Sequence, residues 1–165
     1  MTPVVEQALQ LLEQTLDEFI ENRQREGERL QQLILQRCSA MREQVQQVRE
    51  LMPRVLEGVR RRLRERLDEI SAELDPARLE QEMTLLAQRL DVDEEMDRLM
   101  SHLEEVEMVV NTDAPVGRRL DFLMQELNRE ANTLGSKSTD VDVTRAGVEM
   151  KVLIEQMREQ IQNIE

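Results

Sequence analysis

Aromatic residues are nearly absent from this chain: its 165 residues include two phenylalanines, no tryptophan and no tyrosine. Leucine, valine, isoleucine and the ten methionines must therefore form the core. Five glycines and four prolines leave few places for turns. Because 35% of the residues are charged, the composition is typical of long helices that pack through narrow apolar seams. It predicts an all-α fold.

Other absences indicate the cellular compartment of the protein. The single cysteine, Cys38, has no second cysteine to pair with in the chain, which fits a reducing compartment. There is no run of 18 apolar residues and no basic stretch followed by an apolar block at the N-terminus. We therefore expect a cytoplasmic protein with no membrane partner and no DNA partner.

The net charge of −13 argues against non-specific binding to nucleic acid, because an acidic surface repels phosphate. The charge is unevenly spread, however, and does not exclude a local anion site. A basic cluster consists of Arg60, Arg61, Arg62, Arg64 and Arg66. Familiar catalytic motifs are missing: there is no glycine-rich phosphate loop, no CxxC pair and no HExxH.

Apolar residues recur alternately four and three positions apart, which predicts long, antiparallel, coiled-coil-like helices with a compact C-terminal helical bundle. We divide the chain into a helical hairpin or coiled-coil region, residues 1–75, and a C-terminal helical domain, residues 76–165. Pro53 should kink its helix or start a new one. Gly135 should end a helix, and Thr144 should cap the last one after a polar loop. Each seam must be buried against a neighbour, within the chain or in another copy.

Polar residues also recur on a helix face that the seams do not explain. The stripe contains the only histidine, three residues before Glu105, and consists of Asp91, Glu95, Arg98, His102 and Glu105. One interpretation is a metal ligand or a general acid–base group at His102. The other is a solvated helix face that carries a single histidine.

The second polar segment runs from Gly117 to Ser138. Asparagine is a poor mid-helix residue, yet Asn128 and Asn132 share a face with Arg118, Asp121 and Gln125. Arginine, lysine and serine suit phosphate oxygens, and carboxylates suit a divalent cation. The alternative is a buried polar network that fixes helix register.

The run GRRLDFLMQELNREANTLGSKS in this segment resembles the signature of the bacterial YicC family, also called YicC/YloC. Further similarity lies in residues 78–82, in LAQRLDVDEE at residues 86–95, in Arg98 and His102, and in VLIEQMREQIQNIE at residues 152–165. The resemblance covers nearly the whole chain. It implies a metal-dependent endoribonuclease that cleaves RNA in bacterial RNA turnover and forms ring-like homohexamers.

The resemblance supports a set of site positions, and side-chain chemistry divides their roles. The expected catalytic residues are His102, Asp121 and Glu126. The expected phosphate-binding residues are Arg98, Arg118, Arg119, Arg129 and Lys137. The expected ligands of Mn²⁺ or Mg²⁺ are Glu95, Glu105, Asp121, Glu126 and Glu130.

Members of this family are nearly twice as long and carry an α/β N-terminal half, which we expect to be absent here. The chain would then be a fragment whose activity is uncertain. Two alternatives therefore stay open beside the endoribonuclease. One is a structural or oligomerisation module, and the other is an RNA-binding adaptor without catalysis.

Overall fold

A computed structural model of the chain describes residues 3–69, 76–112, 114–138 and 140–162. These residues form five helices and no strand, which confirms the all-α prediction. The helices are α1 (Pro3–Glu69), α2 (Pro76–Arg89), α3 (Asp93–Val110), α4 (Gly117–Lys137) and α5 (Val141–Ile161). None of the described helices is both long and apolar enough to cross a membrane.

Four of the helices form an antiparallel bundle. The middle of α1 packs on α3 and α5, and α4 packs on the same two helices from the other side. Cross-helix contacts give the direction of α1, because Arg37 bonds Gln156 whereas Arg54 pairs with Asp142, nearer the start of α5. Helices α3, α4 and α5 alternate in direction because short loops join them.

The core of the bundle is the set of predicted seams. The buried stretch of α1 extends from Ile34 to Val55, and it joins one apolar cluster with the seams of α3, α4 and α5. The burial of one Leu or Met side chain contributes roughly 1.5–3 kcal/mol, so these seams dominate the stability. Pro53 does not start a new helix, and α1 continues through it to Glu69. Proline has no N–H to donate to the carbonyl oxygen four residues earlier in the helix. Because Pro53 is exposed, that oxygen faces water instead.

The N-terminal part of α1 lies outside this core. Residues 3–29 are exposed, including the seam residues Leu9, Leu12 and Leu16, and Phe19 is 57% exposed. A narrow apolar stripe of this length is unstable in water unless a partner covers it. The described part of this chain does not bury it.

Two predicted helix ends are wrong. Helix α4 continues past Gly135 to Lys137. Helix α5 is capped by Asp140, whose side chain accepts hydrogen bonds from the backbone N–H groups of Asp142 and Val143, so Thr144 is already helical. Aspartate is a strong N-cap because its carboxylate satisfies free N–H groups. The proposed division at residue 75 stays a prediction, since residues 70–75 lie outside the described ranges.

Candidate metal centre

The functional candidates on α3 and α4 meet along the surface where the two helices pack. Because the helices are antiparallel, residues late in α4 lie opposite residues early in α3. From one end of this surface to the other, the cross-helix ion pairs are Lys137–Glu95, Arg98–Glu130 and Arg119–Glu105. Residues from both polar segments found in the sequence therefore meet along this surface.

His102, Glu126 and Glu130 come together in the middle of this surface. One potential ligand atom from each residue lies within 4.8 Å of those of the other two. Helix periodicity explains the arrangement, because Glu126 and Glu130 are one turn apart on α4 and both face His102 on α3. An imidazole and two carboxylates form a donor set suited to a divalent cation.

Glu130 is the buried member of this cluster, with 3% of its surface exposed. A buried carboxylate is costly unless a cation compensates it. Among the described residues, its ion pair is with Arg98, whose Nη1 lies 3.5 Å from Glu130 Oε1. That distance is long for a charge-assisted hydrogen bond. The Glu130 carboxylate is therefore weakly compensated, which fits the binding of a cation.

Arg98 is shared between two carboxylates. It pairs with Glu94 one turn earlier on α3 as well as with Glu130 on α4. The Glu94 carboxylate raises the pKa of Arg98 above its ordinary value, partial desolvation opposes this shift, and Glu130 adds to it. Arg98 thus stays charged beside the cluster.

Two of the expected metal ligands are engaged by basic residues. Glu95 is 4% exposed, and its Oε1 lies 2.8 Å from Lys137 Nζ. Glu105 pairs with Arg119. The described structure therefore does not place these two carboxylates with His102, and their role as ligands stays a prediction.

Asp121 lies on the other side of α4. Its Oδ1 is 3.7 Å from Arg158 Nε on α5, and its Oδ2 accepts a hydrogen bond from Gln125. It shares that side with Asn128 and Asn132, which are hydrogen-bonded to each other. Within this chain Asp121 is thus separated from His102 and Glu126, the two residues with which it was grouped.

The expected phosphate-binding residues differ in how strongly they are engaged by other groups of the chain. Lys137 is held by Glu95 and by the carbonyl oxygen of Asp91. Arg129 is exposed, and its Nη1 lies 3.9 Å from Glu126 Oε2, a loose pair. Arg118 is exposed as well. Arg118 and Arg129 are therefore the residues of this set that are best able to meet an incoming anion.

Residues 48–165 match the family model described as "Endoribonuclease YicC-like, C-terminal". The chain belongs to the YicC-like family. The YicC-like region includes the late part of α1, α2, and all of α3, α4 and α5. Every residue of the His102, Glu126 and Glu130 cluster lies inside it.

Two relatives in the YicC-like family are similar over nearly the whole chain. A Haemophilus influenzae protein named probable endoribonuclease YicC is 54% identical over 150 residues, which cover 91% of this chain and 52% of that protein. A Clostridioides difficile protein of the same name is 37% identical over 159 residues, covering 94% of this chain and 54% of that protein. The chain therefore spans about half the length of these relatives.

The sequence missed two residues that position the candidates. Glu94 holds Arg98, and its position four residues before the arginine was a detectable helical ion-pair signal. Arg158 holds Asp121 from α5, and no local spacing indicates that contact.

Proposed function

We propose that this chain is the helical part of a metal-dependent endoribonuclease that cleaves RNA phosphodiester bonds in bacterial RNA turnover. The observation that carries the proposal is the convergence of His102, Glu126 and Glu130 within 4.8 Å. Membership in the YicC-like family and the names of two relatives support the reaction type. The cytoplasmic location expected from the sequence is compatible with this role.

The cluster fits a divalent cation better than it fits a plain ion-pair network. Its two carboxylates are met only by loose ion pairs, Arg98 with Glu130 at 3.5 Å and Arg129 with Glu126 at 3.9 Å, and its imidazole adds a third donor. Mg²⁺ prefers oxygen ligands, whereas imidazole is an accepted ligand for softer divalent metals, so we favour Mn²⁺ over Mg²⁺. A bound cation would polarise a phosphate and lower the pKa of an attacking water or 2′-hydroxyl.

The chain's own residues have separate tasks in this proposal. Glu126 and Glu130 hold the cation, and the exposed Arg118 and Arg129 bind phosphate oxygens and oppose the charge that develops on them. His102 has two possible tasks: its imidazole either completes the ligand set or transfers a proton. A histidine nitrogen that binds a cation cannot transfer a proton at the same time, so the two tasks are distinguishable.

The first test is Mn²⁺ binding to this chain by titration calorimetry. We expect Glu130→Gln and Glu126→Gln each to weaken binding at least about tenfold, because each substitution removes one ligand. If His102 is a ligand, His102→Ala weakens binding to a similar extent. If His102 transfers protons, His102→Ala leaves binding unchanged and abolishes cleavage.

A matched control is Glu104→Gln, which changes an exposed carboxylate outside the cluster on α3, the helix that carries His102. It should bind Mn²⁺ as the unmodified chain does. Cleavage is then followed on a single-stranded RNA with Mn²⁺ or Mg²⁺. The proposal is wrong if the Gln variants at positions 126 and 130 bind Mn²⁺ and cleave RNA as well as the Glu104 control.

A second candidate function is a structural module whose polar surface fixes the register of α3 against α4. The observation that favours it is the ladder of three cross-helix ion pairs along this surface. It predicts that Glu130→Gln changes the melting temperature and leaves RNA cleavage unaltered. RNA binding that depends steeply on salt, with no cleavage under any metal, would instead indicate an adaptor without catalysis.

Homo-oligomerisation is part of the proposal, with a hexamer as the expected state of the longer protein. Its support in this structure is the exposed seam of residues 3–29, which another copy could cover. Replacing Leu9, Leu12 and Leu16 by Asn should lower the molecular mass in sedimentation equilibrium without changing the bundle, whose core these residues do not enter. An unchanged mass would exclude this seam as the contact.

A further inference from the structure

Helix α1 extends beyond the bundle at its C-terminal end, and this extension is rich in arginine. The bundle core ends at Val55, whereas the helix continues to Glu69. Residues 60–66 of the extension contain five arginines and one glutamate, a local net charge of +4 in a chain of net charge −13, and Asp68 and Glu69 follow before the helix ends. The charge of this segment is thus opposite in sign to that of the chain as a whole.

The arginines of the extension are not equally free. Arg60 Nη2 lies 3.0 Å from Glu80 Oε1, which ties α1 to α2. Arg61 Nε is 3.9 Å from Glu65 Oε1, a loose pair within the helix. Arg62, Arg64 and Arg66 are exposed, and they make no hydrogen bond or ion pair with the residues that the structure describes. We call these three the basic arm.

The apolar side of the extension faces α2 across a groove, which bears on the nature of its ligand. Leu56 and Val59 line a groove together with Met83 and Leu86 of α2 and with Leu90, which follows that helix. A helix that enters a membrane surface needs a free apolar face opposite its charges. Leu56 and Val59 are half-buried at this groove, so the extension has no fully free apolar face there, and its arginines are suited to a soluble polyanion.

The arm is far enough from the metal centre to be a separate site. Arg42 and Arg49 of α1 pair with Glu107 and Asp97, the α3 residues on either side of His102. The basic arm begins on the order of 15–20 residues further along α1, which corresponds to roughly 22–30 Å at the helical rise. At about 3.4 Å per stacked nucleotide, that distance is roughly eight nucleotides.

We propose that the basic arm binds the sugar–phosphate backbone of single-stranded RNA, away from the His102, Glu126 and Glu130 cluster. The choice of RNA as ligand rests on the proposed function. Arg62 and Arg66 are one helical turn apart, so two guanidinium groups project from the same side of the helix. Arginine recognises phosphate by bidentate hydrogen bonds and stacks on bases, which gives binding without sequence preference.

The test measures the affinity of the chain for a 20-nucleotide single-stranded RNA by fluorescence anisotropy at several salt concentrations. EDTA is present, so that neither cleavage nor metal binding contributes. The arm variant carries Arg62→Gln, Arg64→Gln and Arg66→Gln. The matched control carries Arg25→Gln, Arg29→Gln and Lys151→Gln, which removes the same charge from exposed positions outside the arm.

We expect the arm variant to bind RNA roughly 10- to 100-fold more weakly near 0.1 M salt, and its slope of log K against log salt to be shallower by about 2. The control should retain the affinity and slope of the unmodified chain. Because both variants have the same net charge, a difference between them reports the location of the charge. Circular dichroism should show equal helicity in all three proteins.

Several results would overturn the inference. One is that the unmodified chain does not bind RNA. Another is that the arm variant and the control lose RNA affinity equally. A third is that the arm variant changes the molecular mass of the protein but not its RNA affinity. Binding to phosphatidylserine vesicles without binding to RNA would assign the arm to a membrane and would also overturn it. Cleavage is assayed separately with Mn²⁺ in place of EDTA. RNA binding through the arm, together with no cleavage in that assay, would count against the proposed function and leave this inference standing.

Discussion

Lys137 and Glu95 join the end of α4 to the start of α3. Lys137 Nζ lies 2.8 Å from Glu95 Oε1 and 2.9 Å from Glu95 Oε2, and it also donates to the carbonyl oxygen of Asp91 at 2.9 Å. Glu95 is buried, so this ammonium compensates a carboxylate that has lost most of its water. The sequence indicated Lys137 as a phosphate-binding residue, whereas its contacts in this structure are internal.

Lys137→Met should therefore destabilise the bundle. The substitution leaves the Glu95 carboxylate buried without its cation, and we expect the free energy of unfolding to fall by about 2 kcal/mol. Urea denaturation followed by circular dichroism measures the change. The double variant Lys137→Met with Glu95→Gln should recover part of the loss. If it is less stable than the sum of the two single changes predicts, the pair does not act in this way.

Arg98→Gln should strengthen Mn²⁺ binding. Arg98 is the cation that partly compensates Glu130, so its removal leaves that carboxylate available to a metal. We expect roughly a three- to tenfold decrease in the Mn²⁺ dissociation constant by calorimetry, corresponding to about 1 kcal/mol. Glu94→Gln should have the opposite effect, because Arg98 is then attracted by Glu130 alone. Equal affinities in both variants would mean that Arg98 does not compete with the metal.

Cys38 should be unreactive in the folded protein. The side chain is fully buried beside Met157, and burial, followed by the charge of Glu107, raises the pKa of the Cys38 thiol from 9.0 to about 12, against a smaller lowering by Arg42. Thiols react as thiolates. A disulfide reagent at pH 8 should label the native chain far more slowly than the urea-unfolded chain. Rapid labelling of native protein would show that the thiol is accessible.

The same thiol should make the free energy of unfolding decrease at alkaline pH. Above pH 9 the unfolded chain loses the Cys38 proton, while the folded chain retains it up to a pKa of about 12. The folded state then binds more protons, so stability falls as the pH rises through this window, by up to about 1.4 kcal/mol per pH unit. Cys38→Ala should lose less stability between pH 9 and 10.5 than the unmodified chain. If the free energy of unfolding falls equally with pH in Cys38→Ala and in the unmodified chain, the raised pKa of the Cys38 thiol is contradicted.

Gly147 of α5 lies against the backbone of α4. A Cβ placed there would lie 3.6 Å from the Cα of Gly135 and 3.8 Å from the carbonyl oxygen of Ala131, which is ordinary contact. Gly147→Ala should therefore be neutral or stabilise the protein by up to about 1 kcal/mol through helix propensity. Gly147→Leu should destabilise it by more than about 2 kcal/mol, because the branches would meet the α4 backbone. Thermal melting compares the two variants.

Much of the fold was predictable because heptad spacing reports which face of a helix is buried. The seams of α3 and α4, including Leu99, Leu103, Leu123 and Leu127, are buried as expected. Helix ends were less predictable, since they depend on hydrogen bonds in three dimensions. A glycine such as Gly135 allows a helix to end but does not require it, and α4 continues to Lys137. Helix α5 begins before Thr144, because the side chain of Asp140 accepts the capping hydrogen bonds.

The sequence by itself determined the helical fold, the family and the seams that are buried from Ile34 onward, because those depend on residue type and local spacing. It also indicated His102, Glu126 and Glu130 as site residues, but within a larger set of candidates. Local spacing did not show which members of that set lie together. Only the antiparallel packing of α3 against α4 brought these three together and directed Lys137 to Glu95. The same packing turned Asp121 toward Arg158 on α5. Contacts between helices depend on the relative rotation and register of whole elements, which local spacing does not specify.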